Sequence, residues 1–451
     1  MPNSQKTKSA EHRKALFATF EDGSDVDIRE SLAGLHPADI ADVLEAIPPE
    51  LRRQIWQQVD HTIMGEILLE MPQAVRSDLI RELDDEAIIV ATQALDTDEI
   101  ADLIPHLSDD VISRILLAMD SRARESLDRV LSYPEDTAGG LMNVDAVTIR
   151  DDISLEVVLR YLRRQGDLPE YTNKLFVVDR AERLVGSLLV SRLLTADPAK
   201  KVTEVMETED IKFSAMDSDK DVAAAFEKYN LITAPVLNDD AQVIGRITVD
   251  DVVDVIRDEA DHSIMAPAGL KEDEDIFAPV ARSTRNRAVW LGVNLITAVL
   301  ASWVISLFEQ TIQQVVALAV LMPIVASMGG NAGTQTVTLV IRGIALGTID
   351  ESNARRVLRS EFLIGVMNSV IWAVVIGIVA LLWFGNAMLG LVIGMAMTIN
   401  LVIAALSGVI IPLLIKRMGI DPALASGVAL TTVTDVIGFF VFLGLATLLL
   451  L

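Results

Sequence analysis

Three kinds of structure are predicted in one chain: an α-helical solenoid in the N-domain, an α/β tandem pair after it, and an all-α, five-span transmembrane domain. The first observation behind this is a split in charge. The 451 residues carry a net charge of −26, yet residues 282–451 hold 9 basic and 6 acidic side chains, net +3, and the first 281 hold 29 and 58, net −29. The second is a pattern of apolar residues that recurs every 24 positions near the start. The third is a set of charge-free runs at 288–308, 310–341, 362–415 and 422–434, the last continuing beyond Asp435. Such a length exceeds one core. With no cysteine, disulfide scaffolds, thiol nucleophiles, zinc clusters and iron–sulfur sites are excluded. An acidic chain lacks the Lys and Arg that phosphate contacts need, so no nucleic-acid partner is expected.

The solenoid is assigned to residues 1–135. Ile40, Val43, Leu44, Ile47 and Pro48 align with Met64, Ile67, Leu68, Met71 and Pro72. The register continues through Ile88, Ala91, Leu95 and Asp96 to Ile112, Ile115, Met119 and Asp120. Two further rows keep the same period: Ile55, Leu79, Leu103, Leu127 and Val59, Leu83, Leu107, Leu131. Each unit reads as two short amphipathic helices broken at the Pro or Asp.

Residues 136–203 and 204–262 read as two α/β copies. In the first, residues 144–149 are strand-like. Leu155, Val158, Leu159 and Leu162 follow at helical spacing, and two strands, 175–178 and 184–190, flank an Asp-Arg turn. In the second, a helix over 222–229 precedes strands 234–237 and 243–248 and a helix from Val249 to Glu259. The runs Val185-Gly-Ser-Leu-Leu189 and Ile244-Gly-Arg-Ile-Thr-Val-Asp-Asp251 resemble a tandem pair of CBS domains. The resemblance implies a regulatory module with at most one site for a nucleotide such as ATP. Thr248 and Asp251 match the Thr/Asp pair that contacts ribose and phosphate, whereas the first copy has Leu189 and Arg192. A purely structural acidic pair fits equally.

Residues 288–451 hold the spans, since about 20 apolar residues cross a bilayer. The longest run breaks at Trp383-Phe-Gly-Asn386, giving helices over 288–308, 315–341, 360–384, 387–415 and 424–449. Arg282, Arg285 and Arg287 precede the first. Arg342, Arg355, Arg356 and Arg359 lie between the second and third, and Lys416 and Arg417 between the last two. All nine basic residues fall on the side of the N-terminal body, which is therefore expected in the cytoplasm with the C-terminus outside. Residues 15–20 are too short for a signal-peptide core. Residues 263–287 form the expected connecting, plug-like helix, with 276–287 as an amphipathic stretch at the surface of the cell (inner) membrane.

The order of parts, with Pro323-Ile-Val-Ala-Ser-Met-Gly-Gly-Asn331-Ala-Gly-Thr-Gln335, Asp421-Pro-Ala-Leu-Ala-Ser-Gly427 and Thr431-Thr-Val-Thr-Asp435, resembles the MgtE family of magnesium channels across nearly the whole chain. That resemblance implies a homodimer whose second and fifth helices line a Mg²⁺ pore closed by cytosolic Mg²⁺. Asp435 stands at the selectivity position, Asn331 at the matching place in helix 2, and Asp421 near the cytoplasmic mouth.

The residues support this independently. Asp435 is the only ionisable side chain deep in a predicted span, and such groups mark ion pathways. Mg²⁺ takes oxygen ligands and keeps its waters. A single carboxylate per chain is too little for it, which argues for two facing copies. Gly329, Gly330 and Gly333 around Asn331 read as pore lining or packing, while Gly365, Gly377, Gly390 and Gly394 read as packing. Acidic clusters at 84–86, at 96 with 98–99, at Asp250, Asp251 and Asp254, at Asp258, Glu259 and Asp261, and at 272–275 make the body repel itself until divalent cations arrive. Asp250, Asp251, Asp254, Glu259 and Asp261, with Asp421, are the expected regulatory Mg²⁺ ligands. No Gly-Lys dipeptide exists for a P-loop, and His12, His36, His61, His106 and His262 are scattered, so no enzyme is expected. Two other readings use the same residues: an exchanger coupling Mg²⁺ to H⁺ or Na⁺, and a membrane-anchored metal or nucleotide sensor without transport.

Overall fold

The computed structural model describes residues 34–451 except 94, 105, 106, 272, 273 and 351, together with 29, 31 and 32. The short apolar run at 15–20, His12, His106 and the acidic residues 272 and 273 lie outside these. The chain divides into two units, residues 1–260 with 273–279, and residues 261–272 with 280–451.

In the first unit, the 24-residue period appears as four helix pairs. They are α1 (Pro37–Glu45) and α2 (Pro49–Trp56), α3 (Met64–Leu69) and α4 (Gln73–Ile80), α5 (Asp85–Thr92) and α6 (Thr97–Leu103), and α7 (Asp109–Ala118) and α8 (Ser121–Val130). The Pro or Asp that breaks each unit is the N-cap of its second helix: Pro48, Pro72, Asp96 and Asp120. Asp120 accepts from the Ala123 N–H at 2.7 Å, satisfying a donor that the helix start leaves free. The row Ile55, Leu79, Leu103, Leu127 is buried throughout. The row beside it fades from buried Val59 to exposed Leu131, because no further repeat stacks beyond the last one.

Two arginines 24 positions apart repeat one device. Arg52 donates from Nε to Leu44 O and from Nη2 to Ile47 O, at 2.8 and 3.1 Å. Arg76 does the same to Leu68 O and Met71 O, at 2.8 and 3.2 Å. Each guanidinium caps the carbonyl end of the preceding helix, and a hydrogen bond to a charged group contributes about 1.5–3 kcal/mol. Arg52 also forms a buried ion pair with Asp275 at 2.9 Å, which ties the stretch around Asp275 to the first repeat.

The two α/β copies each hold a three-stranded sheet. In the first, β1 (Thr148–Arg150) runs parallel to β2 (Lys174–Val178), which pairs antiparallel with β3 (Leu184–Leu189); α9 (Leu155–Gln165) and α10 (Val190–Thr195) pack on it. In the second, β4 (Phe213–Ser214), α11 (Asp219–Tyr229), β5 (Thr233–Leu237) and β6 (Val243–Thr248) repeat the order, and α12 (Val249–Met265) follows without a loop. The lead-in to the first copy packs on the second. Ala138 and Met142 sit in the second core, and Asn143 and Arg246 exchange backbone hydrogen bonds of 2.8 Å. The segment ahead of the first sheet therefore packs on the second copy.

In the second unit, five helices are long and apolar enough to cross a membrane: α13 (Val280–Ser306), α15 (Ala317–Ala345), α16 (Ala354–Phe384), α17 (Ala387–Arg417) and α18 (Pro422–Leu450). A short helix, α14 (Glu309–Gln314), follows the first. All five run past at least one expected end, in four of them because the flanking Arg and Lys residues continue the helix into the interface, where their charges are solvated. The separate connecting helix expected over 263–287 is not formed. Residues 249–265 are one helix, a single 3₁₀ turn (Ala266–Ala268) ends it, and residues 280–287 are the first turns of the first span. Gly269 (φ +71°) makes the turn, and the Trp290 ring fills the place a Cβ would take. Pro279, whose ring cannot continue a helix from its N-terminal side, marks where α13 begins.

Candidate functional site

The second and fifth spans carry the intramembrane candidates. Asn331 lies at the centre of α15, and Asp435 at the centre of α18. On α15 the apolar and small residues Leu321, Val325, Gly329, Gly333, Val337 and Val340 are buried. The opposite face exposes Ser327, Asn331, Thr334 and Thr338. Among the described residues Asn331 donates to Ser327 Oγ, at 3.3 Å. On α13 the exposed surface is mainly apolar, with Val289, Leu295, Ile296 and Val299 among it, and its exposed Asn294 and Ser302 donate to carbonyls of their own helix.

Asp435 is partly exposed, and among the described residues none forms a hydrogen bond or ion pair with it. Its neighbours have spent their hydroxyl protons on their own helix: Thr431 on Gly427 O at 2.9 Å, Thr432 on Val428 O at 2.7 Å, Thr434 on Thr431 O at 3.1 Å. Their lone pairs are left, and exposed Thr431 and part-exposed Thr432 offer them as acceptors on this surface of α18, while Thr434 is buried. Gly330 faces open space, whereas a Cβ on Gly333 would meet Leu430 of α18. The glycines of the motif therefore divide, Gly330 open and Gly329 and Gly333 in packing. Gly365, Gly377, Gly390 and Gly394 are all at close helix contacts.

At one end of this unit Asp421 caps α18 by accepting from the Ala423 N–H at 2.8 Å. Its other oxygen is 2.5 Å from Nε2 of His262, next to exposed Asp261. His262 is thus a residue of the candidate set that sequence reading set aside. Its spacing to Asp421 across 159 positions carries no local signal.

In the first unit, Asp250, Asp251 and Asp254 occupy the first turns of α12. Asp251 accepts from both the hydroxyl (2.8 Å) and the N–H (3.3 Å) of Thr248. The proposed nucleotide pair is therefore closed on itself as a helix cap. Burial first, then the neighbouring Asp250 and, more weakly, Asp102, push the Asp251 carboxyl up to about 7. Crowding by protein raises Asp102 of α6 to about 6; Arg76 opposes this, and Glu135, Asp254 and Glu99 add to it. Asp102 nevertheless stays open to water. Glu99 is raised by burial as well, with Asp96, Glu66 and Asp250 adding. Negative groups of the repeats thus lie against those of the second α/β copy. Glu259 stands apart, paired with Lys220 of α11. Among the described residues no three acidic or His side chains are close enough to chelate an ion directly.

The spans, the two α/β copies and the helical repeats each match a family. Residues 322–445 match the MgtE model described as a divalent cation transporter, 35–136 the MgtE intracellular N domain, and 138–199 and 202–258 the CBS domain. The chain is 31% identical over 322 residues to a magnesium transporter MgtE of Enterococcus faecalis, covering 71% of each. It is 28% identical over 432 residues to one of Bacillus subtilis, covering 96% of each. The cytosolic domain of a Mg²⁺ channel MgtE in complex with ATP covers 54% of this chain and 99% of its own at 27% identity, with a TM-score of 0.48. These relatives are transporters, not enzymes, and with five apolar helices after the matched N-terminal domains the chain is a multi-pass membrane protein whose N-terminal half is cytosolic. It belongs to the MgtE family of magnesium transporters.

Proposed function

We propose that the chain is a Mg²⁺-permeable channel that admits divalent cations, works as a homodimer, and closes when cytosolic Mg²⁺ binds its acidic half. One observation carries this reading: Ser327, Asn331, Thr334 and Thr338 are exposed along the second span. The unpartnered Asp435 stands on the fifth span at matching depth. Lipid cannot satisfy these groups. A second copy presenting the same face encloses them around water on a twofold axis. The two Asp435 carboxylates then supply the charge that a divalent ion needs, and the ion keeps most of its water. An odd number of spans leaves the C-terminus outside. Flux of Mg²⁺ into liposomes tests the reading. A channel runs without an imposed H⁺ or Na⁺ gradient, an exchanger stops without one, and a sensor gives no flux at all.

Gating follows from the crowded carboxylates. Asp250, Asp251 and Asp254 against Glu99 and Asp102 repel when bare, and Mg²⁺ with its water shell bridges carboxylates that do not touch. The ion favours the closed arrangement to the extent that it binds that arrangement better. Asp261 and Asp421, beside His262, form a second acidic point near the membrane end. ATP at the second CBS copy would be held by Thr248 and Asp251, replacing the hydrogen bond they share.

Two tests arise here. Gly330→Leu blocks conduction with the protein still folded, because its side chain enters open space. Gly377→Leu lowers thermal stability instead, because a Cβ there already lies 3.2 Å from Gly390 O. Equal loss of stability for both, read by melting in detergent beside liposome flux, rejects the pore-facing assignment.

The second test uses pH. Since Asp251 and Asp102 are raised to about 7 and about 6, the folded half holds protons that an unfolded chain releases from about pH 4. Its stability therefore falls as pH rises from about 4 through 7. In chelator, cleavage near residues 131–136 is faster at pH 8 than at pH 5.5, and millimolar Mg²⁺ at pH 8 restores protection. Cleavage independent of pH and Mg²⁺ argues against these carboxylates as the sensor.

A further inference from the structure

Asn400, near the middle of α17, is fully buried, at 0% exposure. Its Nδ2 donates to Val325 O of α15 at 2.9 Å. A Cβ on Gly329 of α15 would stand 2.3 Å from that nitrogen, and one on Gly438 of α18 would stand 2.8 Å from it. The amide thus fills a slot that exists only because both facing helices carry glycine there. Its Oδ1 has no hydrogen-bond partner among the described residues. An aliphatic side chain would leave no polar atom unpaired, so apolar packing alone does not account for an amide at this place.

The slot lies directly behind the polar face. Gly329 precedes Asn331 by two residues, so at 100° per residue they point to nearly opposite sides of α15. Gly438 is one turn beyond Asp435 on α18. A wedge against both glycines therefore sets how far apart α15 and α18 stand at the depth of Asn331 and Asp435. We infer that Asn400 is a positioning residue for selective conduction, a key that fixes the width between the second and fifth spans without touching the ion. This rests on the pore reading above. The hydrogen bond to Val325 O sets the height of α15 against α17, and the glycine contacts set the spacing to α18.

The experiment uses the full-length protein in planar bilayers, with reversal potentials under Mg²⁺ on one side and Na⁺ on the other. Asn400→Ala remains dimeric by size but lowers the Mg²⁺/Na⁺ permeability ratio about tenfold, a mid-range coupling for contacting residues. Gly329→Ala drives a methyl into the amide and lowers both conductance and ratio. The double variant Gly329→Ala/Asn400→Ala recovers the ratio to within about threefold of wild type, since the methyl then occupies vacated space. If Asn400→Ala does not fold, Asn400→Ser, which keeps a donor in the slot, takes its place in the same comparison. A wild-type ratio in the Asn400 variants overturns the inference, and so does a double variant no better than Gly329→Ala. If wild type and Asp435→Asn show the same unselective current, the pore reading fails rather than the role of Asn400.

Discussion

Asp435→Asn removes selective Mg²⁺ conduction and leaves the protein folded and dimeric. The carboxylate forms no hydrogen bond or ion pair among the described residues, so an amide of the same shape costs the fold little. What it removes is the charge at mid-depth in the span. Two unit charges about 4 Å apart interact by roughly 4 kcal/mol at intermediate screening, and a divalent ion doubles that. Losing a third of such a term changes occupancy by about a hundredfold. Bi-ionic recordings in defined Mg²⁺ and Na⁺ solutions read the change directly. An Asn variant with unaltered selectivity means that the pore lies elsewhere.

Deleting residues 1–130 raises the Mg²⁺ concentration for half-closure by about tenfold, within the usual range of coupling between sites, and leaves selectivity alone. The deletion removes Glu99 and Asp102, which crowd Asp250, Asp251 and Asp254. It also removes Arg52, the buried partner of Asp275 just ahead of the first span. Asp251→Asn with Asp254→Asn shifts closure in the same direction, because only Asp250 of the three facing carboxylates is then left to carry charge. Patch recordings across a Mg²⁺ series give the midpoint. An unchanged midpoint in both variants places the sensor outside this face.

The architecture was legible because its signals are periodic or compositional. A 24-residue register places helix starts at 49, 73, 97 and 121, and spans declare themselves by the absence of charge. Boundaries were harder. The arginines at 282, 285 and 287 read as a surface stretch, yet nothing in 280–287 breaks a helix, so they extend the first span. A candidate stands out in sequence where one unusual residue sits in a uniform background, as Asp435 does at the middle of the fifth span. Pairings across long separations were not. Nothing local announces that Glu259 meets Lys220, that His262 meets Asp421, or that Ala138, Met142 and Asn143, ahead of the first sheet, pack on the second copy. Asn400 reads in sequence as one polar residue among apolar ones, and only the facing glycines, 71 positions before it and 38 after it, give it a role.

The glycines between α16 and α17 have a consequence for how this protein can move. A Cβ on Gly390 would lie 2.6 Å from Gly377 O, and one on Gly394 would lie 3.2 Å from Ala373 O. Two helices in contact backbone to backbone have no flexible side chains between them to absorb sliding. Rotating either about its own axis drives a methylene hydrogen or a side chain into the other's carbonyl oxygen. The third and fourth spans therefore form one stiff board, and whatever movement the other helices make takes place against it, as a door moves on its post.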